Sequence, residues 1–559
     1  MRFTRMVVLA ALIAGGMALA PANVHAQTPC DPLPCTYISD IDGNGFTDAT
    51  DLAFEIDAVF FGGSLSRYLG SDDIDGNGFV DATDLAFLID MVFFGAPLEF
   101  PYRQYVLKGR LGTGSWSLLC DTSDIQYVFG DASNNVFNVG EDLTYAELDC
   151  QNCPKTDTLN IPAGVVIFGY SGAEPGSFII RRSGYVHAVG TAQAPIVLTS
   201  PFAPGTRARS DWGGMVINGC ACNNNSANPI VPYVFETEGA NAGIGGGTCD
   251  TDNSGCYSYL RVEFAGDQLF LDNELNGITL TSVGSGTTLD HIQINQNFDD
   301  GIEWFGGTVN IHHSVVSGVG DDGFDSDYGA RWKGQYLIVI QDPITGPTTD
   351  NHNGFEWDNQ AEAPYQSAPR MKPTIWNATL VGADCALVLA RQNGAHLRRG
   401  ADANINNSIW TKFRRALEYD DVTAWDNITW GPNCHDVTAQ ANPDARIEIL
   451  NSIWYQIGDS SGNASVTSER PYLQDPTNVA EFGCAVPEIL VQVDDYAQVG
   501  GPLDFRPIAG DPQGIGINLP GSVPPIDGFF DPAGAAFKGA VSELDPSPWY
   551  SGWTSFAID

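Results

Sequence analysis

The sequence predicts a mainly β protein: a right-handed parallel β-helix preceded by a small α-helical module of two loop–helix repeats. Three observations carry this. Two near-identical acidic loops recur 33 residues apart, DIDGNGFTDATD from Asp40 and DIDGNGFVDATD from Asp73. Beyond about residue 105, short alternating apolar runs bounded by Gly, Asn or Asp replace any helical periodicity. Within that stretch one motif returns: DDGIEWFGG (299–307), DDGFDSDYG (321–329), HNGFEWDN (352–359) and, more weakly, RRALEYDD (414–421). A strand of one type returning at such a short period marks a solenoid, whereas a propeller blade needs about 40 residues and a more even spacing.

Residues 1–26 read as a secretory signal. Arg2 and Arg5 start it, VVLAALIAGGMALA is its apolar run, and VHA before Gln27 is an A-x-A-like cleavage site. That run is too short to span a bilayer, and no later run is longer. The mature chain is therefore expected to be secreted, extracellular or cell-surface associated, with no membrane span. No cysteine follows the cleavage site, so no lipid anchor is expected. The formal charge is −42, and the signal removes two Arg and no acid. Only six Lys occur in the chain. Such a surface repels nucleic acid and anionic membranes and attracts Ca²⁺.

Each acidic loop sets oxygen ligands at its positions 1, 3, 5, 9 and 12. In the first these are Asp40, Asp42, Asn44, Asp48 and Asp51, with a backbone carbonyl from Phe46. The second offers Asp73, Asp75, Asn77, Asp81 and Asp84, with Phe79. Ca²⁺ wants six to eight oxygens, and Gly at position 6 permits the bend between them. DATDLAFEIDAVFFGG and DATDLAFLIDMVFFGA follow, each predicting one amphipathic helix through Leu52, Ile56, Val59 and Phe60, or Leu85, Ile89, Val92 and Phe93. No helix enters the loops, so neither is a full EF-hand. A duplicated loop–helix unit with Asp at position 12 resembles the type I dockerin module, over residues 36–97. The resemblance implies two bound Ca²⁺ ions and a partner, a cohesin-like or other surface scaffold protein.

All twelve Cys lie in the mature chain, and an even number in an exported protein predicts disulfides. Cys30 with Cys35, Cys150 with Cys153, Cys220 with Cys222, and Cys249 with Cys256 are close enough in sequence to be expected as local staples.

The β-helix is predicted over 105–559. Its strands are expected in GVVIFGY (164–170), GSFIIRR (176–182), APIVLTS (194–200), GGMVING (213–219), NGITLTS (276–282), LDHIQIN (289–295) and VNIHHSVVSG (309–318). Ile302, Trp304, Phe324, Phe355 and Trp357 would stack inside. IPAGVVIFG, GTAQAPIVLTS, WGGMVINGC, LDNELNGITLTSVGSGTTLDHIQI and the closing YSGWTSF resemble segments of secreted bacterial β-helix proteins of the pectin-lyase-like superfamily. That resemblance implies the fold; activity has to be read from the site.

Alternate side chains of a strand point out. With Ile302 and Trp304 inside, Glu303 and Phe305 face out. The same register exposes Asp325 and Asp327, Glu356 and Asp358, then Glu418 and Asp420. Carboxylates on neighbouring rungs, about 4.8 Å apart, repel by roughly 3 kcal/mol at an effective dielectric of 20. The column therefore needs counter-charge. One source is a third Ca²⁺ on Glu303, Asp325 and Asp327; the other is NGAHLRRG (393–400), which would present His396 and Arg398 outward. Acids on successive rungs beside an Arg match a Ca²⁺-dependent polysaccharide lyase, in which Arg398 takes the proton. A glycoside hydrolase would instead use two carboxylates, Asp322 with Asp325 or Glu303 with Asp325. The expected function is thus a polysaccharide-degrading lyase or hydrolase tethered by its N-terminal module. A non-catalytic β-helix rod for adhesion or matrix, or a Ca²⁺-stabilised assembly subunit, are the alternatives. Trp304, Trp332, Trp357 and Trp376 are candidates for a sugar-stacking strip, with core packing the competing role. Of His312 and His313, alternation lets only one face out.

Overall fold

The structure is a computed structural model. It describes residues 30–559 except 34, 36, 78, 95–102, 121–124, 144–149, 226–232, 240, 271–272, 343–351, 361–366, 386–391, 420–427, 431–436, 440–446, 459–474 and 494–502. The expected signal segment and Asp420 lie outside the described residues.

Beyond Arg103 the chain coils into rungs whose strands pair in parallel in two long stacks. This is the predicted parallel β-helix. All seven runs expected to be strands contain one: Val166–Gly169, Ser177–Ile180, Ile196–Thr199, Gly214–Asn218, Ile278–Thr281, Thr288–Asn295 and Asn310–Ser317. Ile302, Trp304, Phe324, Phe355 and Trp357 are fully buried in one continuous core. Like stacks on like within it: Trp304 and Trp332 rings lie 4.3 Å apart, Trp410 and Trp454 4.8 Å, Phe129 and Phe178 4.5 Å. No sugar-stacking strip forms. Trp304, Trp332 and Trp357 point into this core, and Trp376 is buried on the outside against Phe530 at 5.2 Å.

The longer strands of the second stack each bend at one left-handed residue: Tyr259 (φ 47°), His291 (56°), His313 (50°), Tyr336 (60°) and Asn377 (58°). In each pairing this residue is skipped, as where Ser258 pairs with Asp290 and Leu260 with Ile292. One such strand therefore serves two faces of the coil. The bend also breaks the period of two. Ile311 joins the core, whereas His312 and His313 both lie outside it, against the expectation that only one would face out.

The outer face beyond the bend is itself apolar. Val315, Ile338, Val381, Ile409 and Ile453 form a second cluster with Phe505, Ile517, Ala540, Val541 and Tyr550 from the C-terminal segment. That segment does not add rungs but returns along the coil. Ser522 bonds Asn407 and Asn451, Gly534 accepts from Asn377, Asp531 meets Gln335, Ser555 and Ala557 meet Gln293 and Asn295, and Asp559 pairs with Arg207.

At the other end, the helices are α1 (Ala49–Ile56), extended by a π turn over Asp57–Phe61, and α2 (Ala82–Phe94). Asp48 caps α1, accepting from the Thr50 amide at 2.7 Å, while the Asp51 carboxylate accepts from the Asp48 amide at 2.7 Å. Ile41, Leu52, Ile74, Leu85 and Leu88 make the module's small core. The expected apolar stripe is only partly inward: Ile56, Phe60 and Phe93 are exposed, together with Phe46, Phe54, Phe61, Phe79, Phe87 and Phe94. The segment between the loops closes the first rung. Tyr68 bridges Ser117 in parallel, the Leu69 amide donates to the Ser117 carbonyl at 2.8 Å, and Ile38 and Leu69 enter the coil's core.

None of the expected local cysteine staples forms. The disulfides are Cys30–Cys256, Cys35–Cys120, Cys150–Cys249, Cys153–Cys220 and Cys385–Cys484; Cys222 is bonded as well. They close 67 to 226 residues of chain. Coiling makes residues distant in sequence into neighbours, while cysteines a few positions apart along an extended chain have diverging Cβ vectors. Trp410→Ala, which empties half of the Trp410–Trp454 stack, is expected to cost about 3–5 kcal/mol in denaturant unfolding; a loss below about 1 kcal/mol would show that this pair does not hold the late rungs together.

Candidate functional site

The first stack presents the acidic column. Its register is Glu303–Asp325–Glu356–His396–Glu418, one residue per rung, with Asp358 beside Arg398 in the neighbouring column. The alignment read from the motif repeats therefore holds, including the outward His396 and Arg398. The column is not openly exposed as the sequence reading expected. Glu303, Glu356, Asp358 and Glu418 are buried, and Asp325 and Asp327 are half-buried.

Each strand is entered through an Asn-Gly or Asp-Gly pair: Asn276–Gly277, Asp300–Gly301, Asp322–Gly323, Asn353–Gly354 and Asn393–Gly394. The polar member hands a side-chain oxygen to the next rung's backbone. Asp300 Oδ1 accepts from the Asp322 amide at 2.8 Å, and Asp322 Oδ1 from the Asn353 amide at 2.5 Å. The glycines stack too closely for a side chain; a Cβ on Gly301 would lie 2.6 Å from the Gly323 carbonyl oxygen. Asp322 thus stands in the turn ladder rather than in the outward column, with one oxygen committed to an amide.

Counter-charge divides the column in two. In the later rungs, Glu356 accepts from His396 Nδ1 at 3.0 Å and Asn353 Nδ2 at 2.7 Å, and also binds Arg398. Arg398 Nε reaches both oxygens of Asp358 at 2.8 Å, Arg399 reaches Asp358 at 2.9 Å, and Arg415 reaches Glu418 at 2.9 Å. Burial alone would raise the Glu356 pKa, but His396 and Arg398 outweigh it and hold the group below the usual range. Arg398 is half-buried, which alone would favour its neutral form, yet Glu356 and Asp358 outweigh this and hold it charged.

The earlier rungs lack such partners. Among the described residues no Lys or Arg forms an ion pair with Glu303, Asp325 or Asp327. Glu303 accepts from Asn276 Nδ2 at 2.5 Å. Burial, then the charges of Glu238 and Asp325, push Glu303 well up; burial, then Glu356 and Asp358, do the same to Asp325. Asp327 is pushed to about 8 by burial and Asp358, Glu238 to about 8 by burial and Asp299, and Asp299 to about 7 by burial and Glu274. Glu238 and Asp299 extend the acidic patch beyond the residues found in the sequence. Asp299 opens the repeated Asp-Asp-Gly and was visible there; Glu238 comes from a loop with no repeat to flag it.

The N-terminal loops converge likewise. Carboxylate oxygens of Asp40, Asp42 and Asp51 lie within 4.8 Å of one another, as do those of Asp73, Asp75 and Asp84. Asp51 accepts from the Ile41 and Asp42 amides at 2.7 and 3.1 Å, and Asp84 from the Asp75 amide at 3.0 Å. Asn44 and Asn77 each accept from the Phe amide two residues on, at 2.8 Å. Asp48 and Asp81 cap the helices that follow through Thr50 and Thr83. Asp40 Oδ1 is buried with no hydrogen-bond partner, as suits an oxygen aimed at a cation.

The raised carboxyls fix a direction of pH dependence. Asp299, Asp327 and Glu238 keep protons in the folded state that the unfolded chain releases near pH 4, so the folded state binds more protons between about pH 4 and pH 8. Stability is therefore expected to fall as pH rises through that window and to level off above it. Melting curves in chelator should show the fall, and Asp327→Asn, which faces Asp358, Arg398 and Arg399, should flatten it; an unchanged slope would mean that Asp327 is ionised throughout.

Comparison with known proteins agrees with this geometry. No curated protein and no solved structure matches the chain. Residues 141–463, more than half of its length and the span that holds the acidic column, match a family model described as a pectate-lyase-like β-helix domain. By that match the chain belongs to the pectate-lyase-like β-helix family.

Proposed function

We propose that this is a secreted, Ca²⁺-binding, carbohydrate-active protein that cleaves an acidic polysaccharide on the carboxylate column and is tethered by its N-terminal module. Family membership supports carbohydrate activity at the level of the family, and the disulfides are consistent with an extracellular protein. The observation that carries the reading is the uneven counter-charge. Among the described residues no Lys or Arg forms an ion pair with Glu303, Asp325 or Asp327, while Arg398 on the rungs just beyond pairs with Glu356 and Asp358.

Glu303, Asp325 and Asp327 offer only oxygens and fit a hard cation. When bound there, Ca²⁺ would neutralise a uronate carboxylate and acidify the adjacent C–H. Arg398 is assigned the task of orienting the substrate's anionic groups. Removing its proton means overcoming both Glu356 and Asp358, so its service as base requires substrate or cation to displace those contacts. His396, buried beside Glu356, positions that carboxylate. A hydrolytic reading uses Glu303 and Asp325 on adjacent rungs, where two close carboxylates with raised pKa values share a proton as acid and base do. Asp322, tied to the Asn353 amide, is the weaker candidate for either role.

For the module, we propose dockerin-like binding of two Ca²⁺ ions, held by Asp40, Asp42, Asn44, Phe46, Asp48 and Asp51, and by Asp73, Asp75, Asn77, Phe79, Asp81 and Asp84. Its exposed phenylalanines form an apolar surface suited to a cohesin-like or other scaffold protein. Cys30–Cys256 and Cys35–Cys120 tie the segment just before it to the coil and would limit how that surface is presented.

The activity test is a panel of neutral and acidic polysaccharides with and without Ca²⁺, followed by ultraviolet absorbance of unsaturated uronides and by new reducing ends. The lyase reading expects Ca²⁺-dependent absorbance that Asp325→Ala lowers at least 100-fold. Reducing ends alone would mean hydrolysis, and no cleavage of any glycan would leave the column a structural ladder on a binding rod. In calcium titration calorimetry, Asp40→Ala should remove one ion per chain and the Asp40→Ala/Asp73→Ala pair two; an unchanged count would refute the loop assignment.

A further inference from the structure

A second constellation lies on the opposite stack, at the bend between its two faces. Asp290 and His312 face each other in register on neighbouring rungs. His291 and His313 occupy the left-handed corner of the same rungs, their rings stacked 4.4 Å apart. Asp290 Oδ1 accepts from His313 Nδ1 at 2.8 Å. His291 Nδ1 lies 3.0 Å from the same oxygen and pairs with it. His312 Nε2 is buried without a hydrogen-bond partner. Ligand atoms of Asp290, His312 and His313 all lie within 4.8 Å of one another.

A corner built only for packing does not require this chemistry. Tyr259 and Tyr336 occupy the same position on the flanking rungs and continue the ring stack, at 4.2 and 5.0 Å, without any imidazole. Three of the chain's eight His are instead gathered around one carboxylate. One of their nitrogens, His312 Nε2, lacks the hydrogen bond that a buried polar atom ordinarily makes. Trp549 packs edge-on against His313 at 5.1 Å and Phe529 against His312 at 4.1 Å, so the returning C-terminal segment walls the group with apolar rings. Such a wall fixes ring orientation, as around metal ligands, while the Asp290 carboxylate keeps one side of the group open to solvent.

We propose that Asp290, His312 and His313, with His291 adjacent, form a binding site for a first-row divalent transition metal of the Zn²⁺ class. Two imidazoles and a carboxylate are a Zn²⁺ ligand set, and imidazole favours Zn²⁺, Cu²⁺ or Ni²⁺ over Ca²⁺ and Mg²⁺. The site is thus chemically distinct from the all-oxygen loops and from the carboxylate column.

The test uses tag-free mature protein saturated with Ca²⁺, so that oxygen sites are already filled, and titrates Zn²⁺ by calorimetry. The expected result is one Zn²⁺ per chain, with affinity lowered about 10-fold or more by His312→Gln or Asp290→Asn and unchanged by His187→Gln, which lies elsewhere on the coil. Cu²⁺ loaded into the unmutated protein should give an electron paramagnetic resonance spectrum split by at least two imidazole nitrogens. No stoichiometric Zn²⁺ binding, equal affinity in all three variants, or a Cu²⁺ spectrum with oxygen ligands alone would overturn the assignment. If the variants fail to fold, the Cu²⁺ spectrum decides alone.

Discussion

In a parallel stack every side chain sits about 4.8 Å from its counterparts above and below, so whatever occupies one rung must tolerate a copy of itself in the next. Apolar positions gain from this, and the Trp304–Trp332 and Trp410–Trp454 pairs are the outcome. Turn positions become uniform: Gly277, Gly301, Gly323, Gly354 and Gly394 recur because a Cβ at each would meet the carbonyl oxygen of the following rung. Carboxylates are the case where copying is costly, since each neighbour adds repulsion that burial magnifies. The late rungs offset it with His396, Arg398, Arg399 and Arg415. In the early rungs burial and mutual repulsion favour the protonated carboxyls, and a bound cation would be the alternative to those protons.

The same constraint explains what was legible in the sequence. Repetition is local and periodic, so the Asp-Asp-Gly and His-Asn-Gly segments disclosed the strand register, the inward Trp and Phe, and the partnership of His396 and Arg398 with the acids. Features made by non-repeating chain were hidden. Glu238 arrives on a loop, the disulfides join cysteines 67 to 226 residues apart, and the C-terminal segment carries no rung motif. The left-handed corner was hidden for another reason. Tyr259, His291, His313 and Tyr336 are bulky residues in a conformation that usually selects glycine or asparagine, and stacking between them stabilises a bend that local preference opposes.

The two ends are finished differently. At the N-terminus, Tyr68, Leu69 and Ile38 cover the first rung and extend its core. The module whose loops converge on a cation site is thereby part of the β-helix's structure as well as a candidate attachment point. The few residues between the loops thus link the geometry of the acidic loops to the integrity of the first rungs.

The returning C-terminal segment has a further consequence. In a simple solenoid each repeat touches only its neighbours, and unfolding can proceed unit by unit from either end. Here one strap touches rungs from Asn451 back to Arg207, so the loss of any of them loosens contacts shared by the others. Without the strap, Val315, Ile338, Val381, Ile409 and Ile453 would form an uncovered apolar stripe along the coil. A coil with its strap displaced is thus the state most prone to self-association, and docking of the strap joins the rungs into one cooperative unit.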